Sequence, residues 1–205
     1  RKTYTVTDKE DGHQFDIDNE YIMSPKDLCT IGFINKVIDS GSSVLKIEGR
    51  GRSPEYVKTT TQCYREAADA YLKKTYNKEK VKEWMNRLKT VYNRGFWDGY
   101  YLGQKIGEWT GIHGSKATKK KIYLGKAKKY FTKIQVAEFD LEAQELQKGD
   151  SILITGRTTG VIEAVADEIR INDSQVKEVK KGDNFSMKIN CKVQPNDKLY
   201  KVLNS

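Results

Sequence analysis

Cysteine, histidine, proline and long apolar runs are all scarce in this sequence. Its 205 residues include three cysteines, at positions 29, 63 and 191, together with two histidines and three prolines. Cysteines this far apart predict neither a disulfide framework nor a zinc site, and they are typical of a protein from the reducing cytoplasm. No apolar run approaches the roughly 18 residues that a membrane-spanning helix needs, so we expect no membrane partner.

The sequence also lacks a targeting signal and the common catalytic signatures. Its first residues, Arg-Lys-Thr-Tyr-Thr-Val, contain no apolar signal-peptide region, and the absence of an initiating methionine indicates a processed or truncated product. No Ser-His-Asp or Cys-His pattern, HExxH motif or phosphate-binding glycine loop is present. His13 and His113 lie in polar stretches without metal-ligand spacing, so we expect neither to be catalytic.

Positive charge, in contrast, is abundant and unevenly distributed. The formal net charge is +9, yet residues 46–130 contain 21 Lys and Arg against 8 Asp and Glu, so the rest of the chain is net negative. No carboxylate occurs between Trp109 and Ala137, and the eight lysines of that stretch are Lys116, Lys119, Lys120, Lys121, Lys126, Lys128, Lys129 and Lys133.

These lysines, with aromatic rings between them, predict an RNA-binding surface. Ammonium groups displace the counterions of phosphates, and rings such as Tyr123, Tyr130 and Phe131 offer stacking faces to unpaired bases. We therefore assign RNA binding to the eight lysines and to Tyr130. The alternative is a solvated lysine-rich surface that only aids solubility.

The amino-terminal half is predicted to be largely helical. Apolar residues at helical spacing, with capping residues beside them, predict one helix that ends at Gly41, a second that begins at Ser53 and a third that begins at Asn77. Residues 44–47 predict a short buried strand between the first two helices. A helix–strand–helix succession is part of an α/β layer, in which chemistry lies where the strand ends.

From Lys119 onward the apolar pattern changes to the period of two that is typical of strands. Six or seven short candidate strands alternate with turn signals at residues 148–150, 181–183 and 195–197, and this pattern predicts a small closed β-barrel. Its order of strands and turns resembles the β-barrel second domain of translation elongation factors. We therefore predict an α+β protein with two domains, residues 1–115 and residues 116–205.

Several sequence blocks also resemble a known family, the collagenase-like peptidases, number 32 among the peptidase families of unassigned catalytic type. The resemblance covers roughly residues 20–105 and continues more weakly to the carboxyl terminus. The blocks, in the order and spacing of that family, are Asp27-Leu28-Cys29, Lys46-Ile47-Glu48-Gly49-Arg50, Ser53-Pro54-Glu55-Tyr56-Val57, Tyr64-Arg65-Glu66, Arg94-Gly95-Phe96 and Gly99-Tyr100-Tyr101-Leu102-Gly103. Members of this family imply that the helical part is the end of an α/β barrel-like domain whose amino-terminal portion is missing here.

The resemblance implies a metal-binding role for Cys29. Similar family members hold an iron–sulfur cluster through four cysteines, one of them at this position, and thiolates are the soft ligands that such a cluster needs. Cys29 is therefore a candidate ligand in the whole protein, while no cluster is expected in the present chain alone. The alternative is that Cys29 is a small buried apolar residue.

Lys46, Glu48 and Arg50 are the candidate catalytic residues. Alternation along a strand places Lys46 and Glu48 on one side, and Arg50 follows at the strand's carboxyl end. Such a group could bind a carboxylate or a phosphate. The alternative is a structural ion pair that closes a barrel.

The function implied is iron–sulfur-dependent hydroxylation of tRNA or ribosomal RNA by the whole protein, with residues 116–205 binding RNA and the missing amino-terminal barrel as a partner. One alternative is the peptidase (hydrolase) activity of the family name, for which we find no recognisable nucleophile or base. A second alternative is a non-catalytic RNA-binding or docking fragment. The sequence predicts no particular oligomeric state.

Overall fold

The computed structural model describes residues 4–17, 24–104 and 107–204. The chain divides into two compact units. The helical unit comprises residues 1–48 and 59–117, and the sheet unit comprises residues 49–58 and 118–205. Residues 49–53, which precede the long second helix, and residues 54–58 at its start thus belong to the same unit as the carboxyl-terminal strands.

The helices and short strands of the first part follow one another as β1 (Tyr4–Thr7), β2 (Gln14–Ile17), β3 (Asp27–Leu28), a 3-10 helix (Ile31–Phe33), α1 (Ile34–Asp39), α2 (Pro54–Leu72), α3 (Lys78–Lys89) and β4 (Phe96–Trp97). β1 and β2 form an antiparallel hairpin, whereas β3 and β4 pair in parallel.

Local capping explains where the helices begin and end. The side chain of Asn77 accepts a hydrogen bond of 2.9 Å from the Lys80 backbone N–H, as expected of an N-cap. Gly41 follows α1 with a φ of +89°, which is the left-handed conformation that glycine adopts without strain. The predicted helix starts and stops are confirmed at both places.

The core of the helical unit forms where α2 and α3 meet the 3-10 helix and α1. Small residues on α2 leave room for the large side chains of α3, as in other close helix contacts. The buried members are Cys29, Ile31, Ile34, Cys63, Ala67, Ala70, Trp84 and Leu88. None of the helices within the described ranges is long and apolar enough to cross a membrane.

The strand predicted at residues 44–47 is not formed. The chain from Ser42 to Gly49 is irregular, and the side chain of Val44 is 83% exposed. A strand of a parallel sheet is stabilised by hydrogen bonds to neighbouring strands. No described strand pairs with this segment, which explains why its apolar residues alone do not produce a strand.

The sheet unit is almost entirely built of antiparallel strands. Eight of them form one sheet in the order β11-β10-β13-β6-β5-β14-β8-β9, and β7 pairs with β12 in a separate ribbon. In chain order the strands are β5 (Lys119–Phe131), β6 (Val136–Leu141), β7 (Glu145–Gln147), β8 (Ser151–Gly156), β9 (Gly160–Val165), β10 (Ile169–Ile171), β11 (Ser174–Val176), β12 (Glu178–Lys180), β13 (Asn184–Lys188) and β14 (Lys198–Asn204).

The predicted closed barrel is wrong, because the described strands do not close on each other. β11 and β9 are the two ends of the sheet and share no pairing. The strand that follows β11, which is β12, pairs with β7 and does not extend the sheet. The likeness to the second domain of elongation factors is therefore not confirmed, whereas the mixed helix-and-sheet class is confirmed.

The sheet nevertheless curls around a single apolar core. β5 pairs with β14 and with β6, with an irregularity in each register, and Gly125 pairs with both Leu199 and Leu141. A Cβ at Gly125 would lie 1.9 Å from the Asp140 carbonyl oxygen, so only glycine fits this crossing. The largest fully buried side chains of the core are Leu124, Phe139, Leu141, Leu146, Ile152, Ile154, Ile169, Val179, Phe185 and Leu199.

Three turns of the sheet unit share one geometry. In each, the carboxylate of an aspartate accepts a hydrogen bond from the backbone N–H three residues earlier, at 2.7 Å for Asp150, 2.7 Å for Asp183 and 2.8 Å for Asp197. The residue before each aspartate has a positive φ; it is glycine in the first two turns and Asn196 in the third. These are the three turn signals predicted from the sequence.

Candidate functional site

Sequence blocks that lie far apart along the chain meet in the helical unit. β3 pairs with β4, so that Asp27 faces Phe96 and Leu28 faces Trp97. The Asp27 carboxylate accepts a hydrogen bond of 2.8 Å from the Arg94 backbone N–H, and its other oxygen lies 3.4 Å from the Arg94 guanidinium. The contacts observed for Arg94 therefore hold β3 against β4.

Cys29 lies directly beside this pairing and is surrounded by protein. Its backbone N–H donates to the Trp97 carbonyl oxygen at 3.0 Å. Its thiol lies 3.7 Å from the Met85 sulfur, and the Tyr64 hydroxyl approaches the Cys29 sulfur to 3.8 Å. The same Tyr64 oxygen accepts a hydrogen bond of 2.9 Å from the Thr30 backbone N–H, which fixes the ring beside Cys29.

Burial makes the two inner thiols weak acids. It raises the pKa of Cys29 above the usual value for a thiol, and it raises the pKa of Cys63 to about 11. Both thiols are therefore protonated at neutral pH in this state, and a protonated thiol is a poor nucleophile and a poor metal ligand.

The described residues do not by themselves form a metal centre. No group of three or more His, Cys, Asp or Glu side chains within them has a geometry that could hold a metal ion. Cys29 supplies one soft ligand, whereas an iron–sulfur cluster takes four. The cluster that the family resemblance implies does not fit the described part of this chain alone.

An apolar pocket lies beside Leu28, the residue that precedes Cys29. It has a volume of about 420 Å³ and is lined by Leu28, Trp97, Gly99, Tyr100 and Tyr101. The rings of Trp97 and Tyr100 meet edge to face, with centroids 5.2 Å apart. This pocket was not predicted from the sequence, although the aromatic and glycine-rich block at residues 96–103 is its signal.

The three candidate catalytic residues lie on the irregular connection between α1 and α2. The side chains of Lys46, Glu48 and Arg50 are all exposed. Lys46 and Glu48 belong to the helical unit and Arg50 to the sheet unit. Their proposed joint role in binding an anion stays a prediction.

Three of the eight candidate RNA-binding lysines are neutralised by carboxylates from other parts of the sequence. Lys121 Nζ lies 2.7 Å from Glu55, and Lys126 Nζ lies 2.8 Å from Glu142. Lys128 Nζ lies between Glu138 and Asp140, at 3.8 Å and 3.6 Å. The stretch between Trp109 and Ala137 contains no carboxylate, but in the fold carboxylates from other segments therefore lie beside its lysines.

The other candidate RNA-binding lysines of the sheet unit, Lys119, Lys120, Lys129 and Lys133, have no ion-pair partner among the described residues. Lys119 and Lys120 lie at the start of β5, whereas Lys129 lies near its far end and Lys133 follows it. Tyr130 is half-buried against the core, and its hydroxyl donates to the Ile189 carbonyl oxygen at 2.9 Å. The remaining candidate, Lys116, belongs to the helical unit.

Comparison with known proteins agrees with the sequence blocks. The model of "Peptidase family U32" matches residues 1–111. A protein named "Collagenase" from Porphyromonas gingivalis (strain W83) is 55% identical over 201 residues, which is 98% of this chain and 49% of that protein. A second collagenase sequence from the same species is covered to 55%. The chain thus spans about half the length of these curated relatives.

More distant similarity extends to proteins with a different name. The "tRNA hydroxylation protein P1" of Bacillus subtilis is 34% identical over 161 residues, covering 74% of this chain and 36% of that protein. Among solved structures, the C-terminal domain of a protein described as a U32 peptidase from Geobacillus thermoleovorans aligns with 38% of this chain and 90% of its own, at 15% identity and a TM-score of 0.37. With its family model matched over more than half of its length, the chain belongs to peptidase family U32.

Proposed function

We propose that this chain is the C-terminal part of a U32 protein that hydroxylates tRNA or ribosomal RNA, and that its sheet unit binds the RNA. The observation that carries the proposal is the division of the lysines along β5. Lys121, Lys126 and Lys128 already pair with carboxylates, whereas Lys119, Lys120, Lys129 and Lys133 keep an uncompensated charge among the described residues.

The positions of the uncompensated lysines suit a polyanion better than a small anion. Lys120 and Lys129 are separated by nine residues of one strand, which corresponds to at most about 30 Å at roughly 3.3 Å per residue. A single phosphate or carboxylate could contact only one end of β5. A nucleic-acid backbone could contact both, and each contact would release counterions.

The names of relatives give independent support. Proteins named for tRNA hydroxylation share 34% identity over 74% of this chain in Bacillus subtilis, and the matched region extends beyond the part covered by the family model. In the whole protein, Cys29 would be one of four cysteine ligands of an iron–sulfur cluster, and Lys46, Glu48 and Arg50 would bind an anionic group. Both assignments belong to the proposal.

A second candidate function is peptide hydrolysis, because the relatives named collagenase are the more similar ones, at 55% identity. The side chains described here give it less support. Cys29 and Cys63 are buried thiols with a raised pKa, and neither has a histidine base among its contacts within the described residues. A peptidase would therefore need a nucleophile other than these two thiols.

The two candidates make opposite predictions in a gene-deletion experiment with the whole protein. We expect cells without the gene to lose a hydroxylated nucleoside, measured by mass spectrometry of digested tRNA and ribosomal RNA, and we expect the intact gene to restore it. The purified whole protein should leave gelatin and collagen intact. An unchanged nucleoside profile together with collagen cleavage would establish the peptidase instead.

The proposed role of Cys29 has its own test. Anaerobic reconstitution with iron and sulfide should leave this chain colourless, because one soft ligand cannot hold a cluster. The whole protein should turn brown, and its Cys29→Ala variant should lose both colour and bound iron. A Cys29→Ala protein with full iron content would remove Cys29 from the ligand set without affecting the RNA-binding proposal.

A further inference from the structure

We propose that single-stranded RNA binds at one end of the sheet unit, on a surface that we call the hairpin tip. It consists of Lys129, Phe131, Lys133 and Ile134 from the β5–β6 hairpin, together with Lys188 and Lys192 at the end of β13 and just beyond it. The inference rests on the proposed function and deepens it, because it names the surface and the form of RNA.

The strand register places Lys129, Phe131 and Lys188 on one side of the sheet. Phe131 and Lys188 both pair with Val136, so the three form a row across β5, β6 and β13. The adjacent row, in which Ala137 pairs with Tyr130 and Met187, faces the core, because Ala137 and Met187 are buried. Successive residues of a strand point to opposite faces, so the row of Phe131 lies on the outer face.

The hairpin tip combines accessible apolar groups with positive charge. Phe131 is 37% exposed and Ile134 is 63% exposed, although both are apolar. Lys129 Nζ lies 4.9 Å from the centre of the Phe131 ring. No ion-pair partner occurs among the described residues for Lys133, Lys188 or Lys192, all of which are exposed.

Hydrogen bonds to Ile189 also hold the hairpin tip in place. The Tyr130 hydroxyl donates to the Ile189 carbonyl oxygen at 2.9 Å, and the Ile189 backbone N–H donates to the Gln135 carbonyl oxygen at 2.8 Å. These bonds fasten the hairpin to the segment that carries Lys188 and Lys192. The backbone that carries the ring and Lys188 is therefore fixed before a ligand arrives, which lowers the entropy lost on binding.

An exposed ring beside lysines favours unpaired RNA over a duplex. Bases can stack on an aromatic face only when they are free of their partners, whereas phosphates are contacted in either form. Glu138 pairs with Lys129 in the strand register, and its carboxylate lies 3.8 Å from Lys128 Nζ. Lys133, Lys188 and Lys192 have no such partner among the described residues.

The test compares two charge-matched triple variants of the full 205-residue chain. The first replaces Lys133, Lys188 and Lys192 with Gln. The second replaces three lysines that already have carboxylate partners, Lys126, Lys128 and Lys180, with Gln. Binding of a labelled single-stranded RNA of about 12 nucleotides, and of its duplex, is measured by fluorescence anisotropy between about 50 and 200 mM salt.

We expect the hairpin-tip variant to bind single strands about 100-fold more weakly at 0.1 M salt. Its logarithmic salt slope should fall by about 2, since each lost contact to a single strand removes about 0.7. The control variant should change affinity less than about fivefold. Phe131→Leu, which keeps an apolar side chain, should lose about tenfold in affinity for the single strand and little for the duplex. Circular dichroism checks that every variant is folded.

Each other outcome overturns one specific claim. Equal losses in both triple variants would mean diffuse charge attraction and would reject the hairpin tip. RNA binding that depends on Lys119 and Lys120 but not on Lys133, Lys188 and Lys192 would reject it while leaving the proposed function intact. A wild-type chain without RNA affinity at any salt concentration would reject both. An unchanged affinity of Phe131→Leu would remove the stacking role and the preference for single strands.

Discussion

The carboxylate of Asp197 occupies the space that a side chain at Gly156 would need. A Cβ at Gly156 would lie 1.7 Å from Asp197 Oδ1, and Asp197 is only 5% exposed. Its other oxygen accepts hydrogen bonds from Thr159 Oγ1 at 2.5 Å and from the Gln194 backbone N–H at 2.8 Å. Asp197 therefore ties the turn between β8 and β9 to the turn before β14.

Replacing Asp197 with Ala should destabilise the sheet unit strongly. The Thr159 hydroxyl and the Gln194 N–H would lose a charged acceptor in a buried place, and hydrogen bonds to charged groups contribute about 1.5–3 kcal/mol each. We expect the free energy of unfolding to fall by about 2–4 kcal/mol, because paired bonds are not fully additive. Urea denaturation followed by circular dichroism measures this change.

Gly156→Ala is the complementary variant and should be destabilising for a steric reason. Gly111→Ala is its control, since a Cβ at Gly111 meets nothing within 4 Å. The control should change the free energy of unfolding by less than about 0.5 kcal/mol. If Gly156→Ala proved as stable as the wild type, the close approach of Asp197 to Gly156 would be incorrect.

Local signals in the sequence predicted the elements that carry their own caps and turns. The side chain of Asn77 caps the start of one helix, and the backbone of Gly41 adopts a positive φ just after the end of another. The turns at Asp150 and Asp183 are closed within four residues. Such features require no distant partner. The sequence therefore located them, and also the mixed helix-and-sheet class.

Features that depend on distant residues were not predictable in this way. The carboxylate that neutralises Lys121 comes from Glu55, and β12 leaves the main sheet because it finds β7 rather than because of its own three residues. The strand predicted at residues 44–47 does not form for the same reason, because a strand requires a neighbouring strand with which to pair. The pocket beside Leu28 likewise forms only when β3 and β4 meet.

Lys121 should matter for stability rather than for RNA binding. Its ammonium group lies 2.7 Å from Glu55 and 4.7 Å from the centre of the Tyr200 ring. Burial opposes the charge of Glu55, but the hydrogen bonds from Lys121 and Ser53 outweigh it and lower the pKa of that carboxyl. Lys121→Gln would leave Glu55 half-buried without its cation, and we expect a loss of about 1–2 kcal/mol on unfolding.

The neighbouring Lys120 provides the control for Lys121. Lys120 is exposed and has no carboxylate partner among the described residues, so Lys120→Gln should change the free energy of unfolding by less than about 0.5 kcal/mol. The double variant Glu55→Gln with Lys121→Gln should regain part of the loss, because no unpaired charge remains. Equal stability of Lys120→Gln and Lys121→Gln would contradict a structural role for Lys121.

The pairing of Glu66 with Arg87 should make the contact between α2 and α3 depend on pH. The Arg87 guanidinium donates to both carboxylate oxygens, at 2.5 and 3.0 Å, and the Trp84 indole N–H donates at 2.9 Å. The hydrogen bond from Arg87 is the main reason why the pKa of Glu66 lies below its usual value of 4.5.

The sign of the effect follows from this lowered pKa. The pair stabilises the fold fully above about pH 4.5, the usual value for an unfolded chain, and the stabilisation is lost as the pH falls through the folded pKa. Its size should be about 1 kcal/mol or less, since a half-exposed pair is screened by water. Urea titrations between pH 7 and pH 3 should show a smaller loss of stability for Glu66→Gln than for the wild type. Parallel curves for the two proteins would exclude Glu66 as a source of the acid sensitivity.

Thiol reactivity should distinguish the three cysteines in the folded chain. Cys191 is exposed, whereas Cys29 and Cys63 are buried. Burial also raises the pKa of both inner thiols, that of Cys63 to about 11, so that little reactive thiolate is present at neutral pH. With a chromogenic disulfide reagent we expect Cys191 alone to react rapidly in buffer and all three cysteines to react in denaturant. Cys191→Ser should abolish the rapid phase, and rapid modification that persists in this variant would show that Cys29 or Cys63 is accessible, against the packing of Cys29 between Met85 and Tyr64.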